Sequence, residues 1–250
     1  MEPLSSDGVK SAYYRRNRSL RAQLRMRQPE LWLLGTVLLI AALLLIFVSI
    51  AEEVFEGDTA AFDRNVILAF RTAGNIADPI GPPWVEEAAR DITALGSIIV
   101  VVILSGALIG YLLLLRKRGM ALLMLITVAG GTALNDVLKF FFDRPRPDLV
   151  LHAAQVFTSS FPSGHAAVSA VVYLTLGALL ARDSPSIAVR IYLMAVAIFL
   201  VFLIGVSRVF LGLHYPTDVL AGWCIGSAWA LTCWLAASRL QRAHAEGAHR

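Results

Sequence analysis

Residues 31–50 form a run of 20 residues without one charged side chain, and no other feature restricts the fold of this chain as much. A bilayer core of about 30 Å is crossed by about 20 apolar residues in a helix, whose backbone N–H and C=O groups are all satisfied internally. Five further apolar runs follow, at residues 98–115, 120–142, 163–181, 187–206 and 218–237, the second of them holding Asn135, Asp136 and Lys139. The expected fold is all-α: a bundle of six transmembrane helices joined mostly by short loops. Composition agrees, because 57% of the residues are apolar and 16% charged, with a mean hydropathy of +0.67. Soluble domains carry roughly 25% charged residues. Disorder, collagen-like repeats and a disulfide scaffold are excluded, and an ordinary soluble enzyme is disfavoured. No internal repeat or low-complexity segment is visible.

The expected organisation is a basic cytoplasmic segment over residues 1–30, a six-span domain over 31–238 and a cytoplasmic tail over 239–250. A cleaved signal peptide is the competing reading of the first run, with Ser49-Ile50-Ala51 as a small-x-small site. That run exceeds the 7–15 residues of a signal core and starts only after thirty residues, so a retained anchor is expected. Cys224 and Cys233 are nine residues apart on the last span, ~13 Å along a helix, too far to bridge.

Lys and Arg placement sets orientation. Lys10, Arg15, Arg16, Arg18, Arg21, Arg25 and Arg27 precede span 1. Arg116, Lys117 and Arg118 follow span 2, Arg182 and Arg190 follow span 4, and Arg239, Arg242 and Arg250 lie in the tail. These fifteen share one side of a six-span layout and leave seven of the 22 basic residues for the other. Both termini are therefore expected in the cytoplasm, with an acidic first loop (Glu52, Glu53, Glu56, Asp58, Asp63, Asp78, Glu86, Glu87, Asp91) outside. That loop is expected to hold a short amphipathic interfacial helix around residues 65–76 and an interfacial Trp84, acting either as a cover over a site or as a plain connector.

Charges at the edge of lipid are costly and mark function by default. Here they gather at the outer ends of spans 3 to 6. Lys139 stands six residues before Arg146-Pro147; Pro162-Ser163-Gly164-His165 opens span 4; Ser207-Arg208 closes span 5, followed by His214 and, at the start of span 6, Asp218. The loop-charge topology made no use of these residues, and it sets all of them on one face.

Taken as chemistry, the set is a phosphate site. Lys139, Arg146 and Arg208 supply three cations to a group carrying about −1.5 to −2, Arg as a bidentate fork and Lys as a point charge. Ser163 sits near a helix cap, so the free N–H groups of Gly164 and His165 face an anion, and Gly164 permits close approach. Asp218, four residues after His214 with Pro216 as first helical residue, can accept the Nδ1–H of His214 and aim Nε2 outward as a base. His165 comes from another helix and can protonate a leaving oxygen.

Lys139-x6-Arg146-Pro147, Pro162-Ser163-Gly164-His165 and Ser207-Arg208-x5-His214-x3-Asp218 resemble the three signature motifs of the type 2 phosphatidic acid phosphatases, whose superfamily includes the vanadium haloperoxidases. The resemblance implies an α-helical bundle and dephosphorylation through a phosphohistidine, with no metal and no cofactor. It implies His214 as nucleophile, Asp218 as its partner and His165 as general acid, with Lys139, Arg146, Ser163, Gly164 and Arg208 holding the phosphate. Arg144-Pro145 precedes Arg146-Pro147; only Arg146 stands at the family's spacing, which leaves Arg144 as an auxiliary cation.

Each residue also has a plain structural reading. Lys139 can pair with Asp136, Asn135 and Asp136 can join spans, and Arg208 can snorkel. Other function classes stay open as well. A transporter or proton relay also buries Asp, Lys and His, although nearer the midplane. A haloperoxidase shares the site in a soluble chain, and a lipid phosphotransferase shares the chemistry up to the phosphohistidine. The expected partners are the bilayer and a lipid phosphate, with no nucleic acid, since the basic N-terminal run suits anionic lipid. Phosphatidic acid, phosphatidylglycerol phosphate, a polyprenyl diphosphate and a phosphorylated glycolipid all present a terminal phosphate; analogy favours the polyprenyl diphosphate. The expected location is a bacterial-type inner membrane with the site facing the periplasm.

Overall fold

A computed structural model of the chain describes residues 6–147 and 159–247, with side chains over 30–147 and 159–241. The side chains of Lys10 to Arg27 in the basic segment, and Arg242 and Arg250 in the tail, lie outside the described residues. The chain forms two units, Met1–Leu39 and Ile40–Arg250. Helix α1 runs from Ser6 to Glu56. Within the first unit Leu31, Trp32 and Leu34 are exposed, and the Thr36 hydroxyl donates to the Trp32 carbonyl.

In the second unit α2 (Ala60–Ala69) is followed by a small antiparallel hairpin, β1 (Arg71–Thr72) and β2 (Asn75–Pro79), and then by α3 (Pro83–Ala94). The helix expected around residues 65–76 thus starts earlier and stops at Ala69. Gly74 adopts φ +89, the Asn75 carboxamide accepts the Ala77 N–H at 3.2 Å, and this turn chemistry reverses the chain. Trp84 is exposed at the start of α3. Helices α4 (Ile98–Leu114), α5 (Arg118–Phe142), α6 (Gly164–Arg182), α7 (Ile187–Phe210) and α8 (Pro216–Gly247) complete the fold.

Among the described residues five helices are long and apolar enough to cross a membrane, with spans at Glu30–Glu56, Arg118–Phe142, Gly164–Arg182, Ile187–Phe210 and Pro216–Gln241. The number rises to six if α3 and α4, which meet at 47°, count as one broken span. α4 alone has 17 residues, at the short limit for crossing. The protein is therefore an all-α membrane protein, with a single hairpin among the described residues.

α6 is the central element, packed against α5, α7 and α8. Two thirds of its length is buried, and its sequence is rich in Ala, Gly and Ser, which lets neighbouring backbones approach as membrane helix pairs require. α8 answers with Gly222 and Gly226 against the α6 backbone: a methyl group on Gly222 would come 2.7 Å from the Ser163 carbonyl oxygen. The charged ends of α5 to α8 meet at one end of this packing.

Candidate active site

Gly212 sets the geometry at the end of α7. It adopts φ +69, Leu213 N–H bonds to the Arg208 carbonyl at 3.0 Å and Gly212 N–H to the Val209 carbonyl at 2.9 Å. This is a Schellman closure, and it explains the spacing of Arg208 and His214 in physical terms. The chain doubles back over one turn, so the His214 N–H also reaches the Arg208 carbonyl, at 3.4 Å. Pro216 then starts α8 as its first helical residue, and Asp218 falls in the first turn.

His214 is 1% exposed and Asp218 fully buried. Nδ1 of His214 lies 3.4 Å from Asp218 Oδ2 and 3.3 Å from Ser160 Oγ, two long contacts that share one proton. Ser160 donates its own hydroxyl to Asp218 Oδ2, and Tyr215 N–H reaches the same oxygen at 2.9 Å. On the other side of the ring, Nε2 is 3.2 Å from Arg146 Nη1. A guanidinium can only donate, so Nε2 carries the lone pair and Nδ1 the proton. His214 sits in the loop between α7 and α8, where burial pushes its imidazole down to about 4 against the upward pull of the Asp218 contact. The ring is neutral at neutral pH.

The other expected residues surround this nitrogen. Arg146 also donates to the Leu213 carbonyl at 3.1 Å. Lys139, in the last turn of α5, donates to the Ser159 carbonyl at 2.8 Å and not to Asp136. It lies within electrostatic reach of Arg146 and Arg208. Arg208 is 8% exposed; Nη1 makes one long contact to Thr93 Oγ1 at 3.4 Å, and Nε has no protein partner. Ser163 occupies the N-cap position of α6 but its Oγ makes no capping bond and is buried without a partner. The first N–H groups of α6, from Gly164 onward, have no acceptor within the helix. A Cβ on Gly164 would lie 3.6 Å from Lys139 Cε. His165, one residue on, is in electrostatic reach of Arg208, His214, Arg146 and Lys139.

All eight expected residues are thus gathered, and the unpaired donors among them point to an anion. The turn into α6 is held from below by Phe161, which is fully buried with its ring centroid 4.8 Å from Phe142 and 5.9 Å from Phe47. Among the described residues no group of three or more His, Cys, Asp or Glu is placed to hold a metal ion.

Several contributors were not foreseen. Arg144, left by the spacing as an auxiliary cation, binds Asp218 Oδ1 at 2.6 Å and Asp63 Oδ2 at 2.7 Å. Ser160, Thr217 and Thr93 join the network through their hydroxyls. Gly96, at the α3–α4 elbow, lies against His165; a Cβ there would come 3.3 Å from His165 Cδ2. One signal for Asp63 is present in the sequence. It shares a helical face with Val66, Ile67 and Phe70, and an acid on the apolar side of an amphipathic helix is buried.

Comparison with known proteins identifies the family. A profile described as the PAP2 superfamily matches residues 120–242. Phosphatidylglycerophosphatase B of Bacillus subtilis is 34% identical over 177 residues, 67% of this chain and 83% of that protein. An undecaprenyl-diphosphatase of Sulfolobus acidocaldarius is 30% identical over 117 residues, 45% of this chain and 52% of that protein. Among solved structures, a transmembrane PAP2-type phosphatidylglycerolphosphate phosphatase from Bacillus subtilis superposes with a TM-score of 0.70 at 29% identity, over 78% of this chain and 94% of the other. The profile takes in the helices that bear Lys139, His165, Arg208 and Asp218, a relative is matched over most of its length, and the chain belongs to the PAP2 superfamily.

Proposed function

We propose that this protein is a multi-pass membrane lipid phosphatase that removes a terminal phosphate by way of a phosphohistidine on His214. The observation that carries this reading is the state of His214: Nδ1 is tied to Asp218 and Ser160, and the lone pair of Nε2 faces Arg146 at 3.2 Å. The phosphate is held by Lys139, Arg146, Arg208, the Ser163 hydroxyl and the N–H groups of Gly164 and His165. Its oxygens draw Arg146 away from Nε2 and leave that nitrogen free. Nε2 attacks phosphorus, the P–O bond to the lipid breaks, and His165 gives its proton to the departing oxygen. Water then attacks the phosphohistidine while His165 takes back a proton, inorganic phosphate leaves, and Nε2 is restored. The imidazolium formed on the way is offset by the Asp218 carboxylate, and the three cations stabilise the equatorial oxygens in place of a metal.

Six spans are proposed, with α3 and α4 as one broken span, both termini in the cytoplasm of a bacterial-type inner membrane, and the site on the outer face. Fifteen of the 22 basic residues on one side support that orientation. Phe55, Phe140, Phe141 and Trp84, all strongly exposed, suit an aromatic belt at the outer interface, with α2 lying along it. The six-span domain, residues 31–238, then carries the whole site. Substrate reaches it laterally from the outer leaflet.

The test is phosphate release by purified protein from phosphatidic acid, phosphatidylglycerol phosphate, a polyprenyl diphosphate and a phosphorylated glycolipid, each with chelator present. Turnover that resists the chelator, is blocked by vanadate and is abolished in His214→Ala with lipid binding retained supports the reading. Strict dependence on added divalent cation overturns the mechanism, and turnover surviving in His214→Ala overturns the nucleophile. Phosphoryl transfer to an added lipid alcohol in preference to water identifies a phosphotransferase.

A further inference from the structure

Asp63 is fully buried, is paired with Arg144, and has no part in the mechanism above. Both oxygens of its carboxylate are engaged. Oδ1 accepts Thr217 N–H at 3.1 Å, and Oδ2 accepts Thr217 Oγ1 at 2.7 Å and Arg144 Nη2 at 2.7 Å. Thr217 is the second residue of α8, so Asp63, from α2, accepts a free N–H of the first turn of that helix. Arg144 completes the bridge: Nη1 reaches Asp218 Oδ1 at 2.6 Å and Thr217 Oγ1 at 2.9 Å, and the guanidinium lies 4.3 Å over the Tyr215 ring. Burial opposes the Arg144 charge, but Asp218 and Asp63 together more than offset it and hold the guanidinium above its ordinary value.

The charge balance gives this arrangement its meaning. Arg144 alone against Asp218 makes a closed ion pair, and a closed pair has little negative potential left for an imidazolium forming on the other oxygen. With Asp63 included, the group holds two carboxylates and one guanidinium, a net charge of −1 behind His214. We infer that Asp63 is a positioning residue: from α2 it takes up half of the Arg144 charge and pins the first turn of α8, so that Asp218 stays both fixed and negative for His214. The segment between α1 and α3 is then a working part of the reaction centre. This rests on His214 as the nucleophile.

The experiment measures kcat, KM and vanadate affinity for wild-type protein, Asp63→Asn and Asp63→Asn/Arg144→Gln in detergent. Asp63→Asn keeps shape and the cap to Thr217 but leaves Arg144 neutralised by Asp218 alone. The expected result is kcat lower by about tenfold or more, with KM and vanadate affinity within about twofold, because the phosphate cradle is untouched. Removing the excess cation with Arg144→Gln should raise kcat again, a recovery that a purely structural role for Asp63 does not produce. Wild-type kcat in Asp63→Asn, a loss falling on KM and vanadate binding, or a double variant slower than the single one overturns the inference. If Asp63→Asn does not elute as folded protein, Asp63→Glu carries the test: it keeps the charge and adds one methylene, so kcat near the wild-type value at constant KM supports the inference, and a tenfold loss of kcat in the folded variant overturns it. Wild-type protein that releases no phosphate removes the proposed function itself; an active wild type with an equally active Asp63→Asn removes only this inference.

Discussion

Gly222→Ala separates the packing of α8 on α6 from the chemistry carried at the α6 start. The added methyl group meets the Ser163 carbonyl oxygen at 2.7 Å, Ala166 Cβ at 3.0 Å and Ala167 N at 3.1 Å. Comfortable separations are about 3.5 Å, so α6 must recede by roughly 0.5–1 Å. Two of the three obstacles are backbone atoms, which cannot swing aside. Overpacking of this kind costs about 1–3 kcal/mol, and the better helix propensity of Ala returns about 1 kcal/mol. The net loss of stability is then about 0–2 kcal/mol, a fall in Tm of no more than about 8 °C for a chain of this size. Function should suffer more. Ser163 N–H is bonded to the Asp218 carbonyl at 2.9 Å, so the same displacement pulls Gly164 and His165 away from His214. A shift near 1 Å in a reaction centre costs up to about 100-fold in rate. The assay pairs thermal unfolding in detergent with phosphate release, using Gly110→Ala as control, because nothing lies within 4 Å of a Cβ there. Gly222→Ala that folds and turns over at the rate of Gly110→Ala refutes the reasoning.

Two further outcomes follow from particular contacts. Gly96→Ala drives a methyl group to 2.6 Å from Ile204 Cγ2 and 3.3 Å from His165 Cδ2, so phosphate release should fall by about tenfold while vanadate still inhibits; unchanged turnover means the elbow does not set His165. Since burial holds His214 near 4, below the unfolded value of about 6.5, neither state carries its proton above that pH. As pH falls from 6.5 toward 4 the unfolded chain gains a proton that the folded one refuses, and stability drops through that window. The fall of Tm over this range should therefore be shallower in His214→Asn than in wild type, and parallel curves argue against a neutral buried ring.

Much of the site was legible because its residues sit at punctuation marks of the chain. α5 stops at Phe142 as expected, α6 begins beside Pro162-Ser163-Gly164, and α8 starts at Pro216, each boundary fixed by a residue that forbids or favours a helical backbone. α7 runs on to Phe210 instead of Val206, since nothing before Gly212 breaks it, and that extra turn is what carries Arg208. The relay through Asp63 was not legible. Its partners Arg144 and Thr217 lie 81 and 154 residues away, and only packing of α2 on the start of α8 brings them together. The two candidate arginines differ by a similar long-range fact: Arg144 points at buried carboxylates and Arg146 at the nitrogen of His214. Motif spacing distinguished Arg146 from Arg144 without giving either its partners.

The Schellman closure after α7 has a mechanical consequence for an enzyme embedded in a deformable solvent. One carbonyl, that of Arg208, accepts from both Leu213 and His214, so the proposed phosphate-binding arginine and the proposed nucleophile ride on a single rigid knot of backbone. Helices in a bilayer tilt and slide as its thickness changes. Such motion carries Arg208 and His214 together and leaves their separation unaltered, whereas Lys139 and His165, on α5 and α6, move relative to that knot. Lipid composition should therefore act on substrate grip and proton delivery, while the pairing of attacking ring and arginine travels through the membrane unchanged.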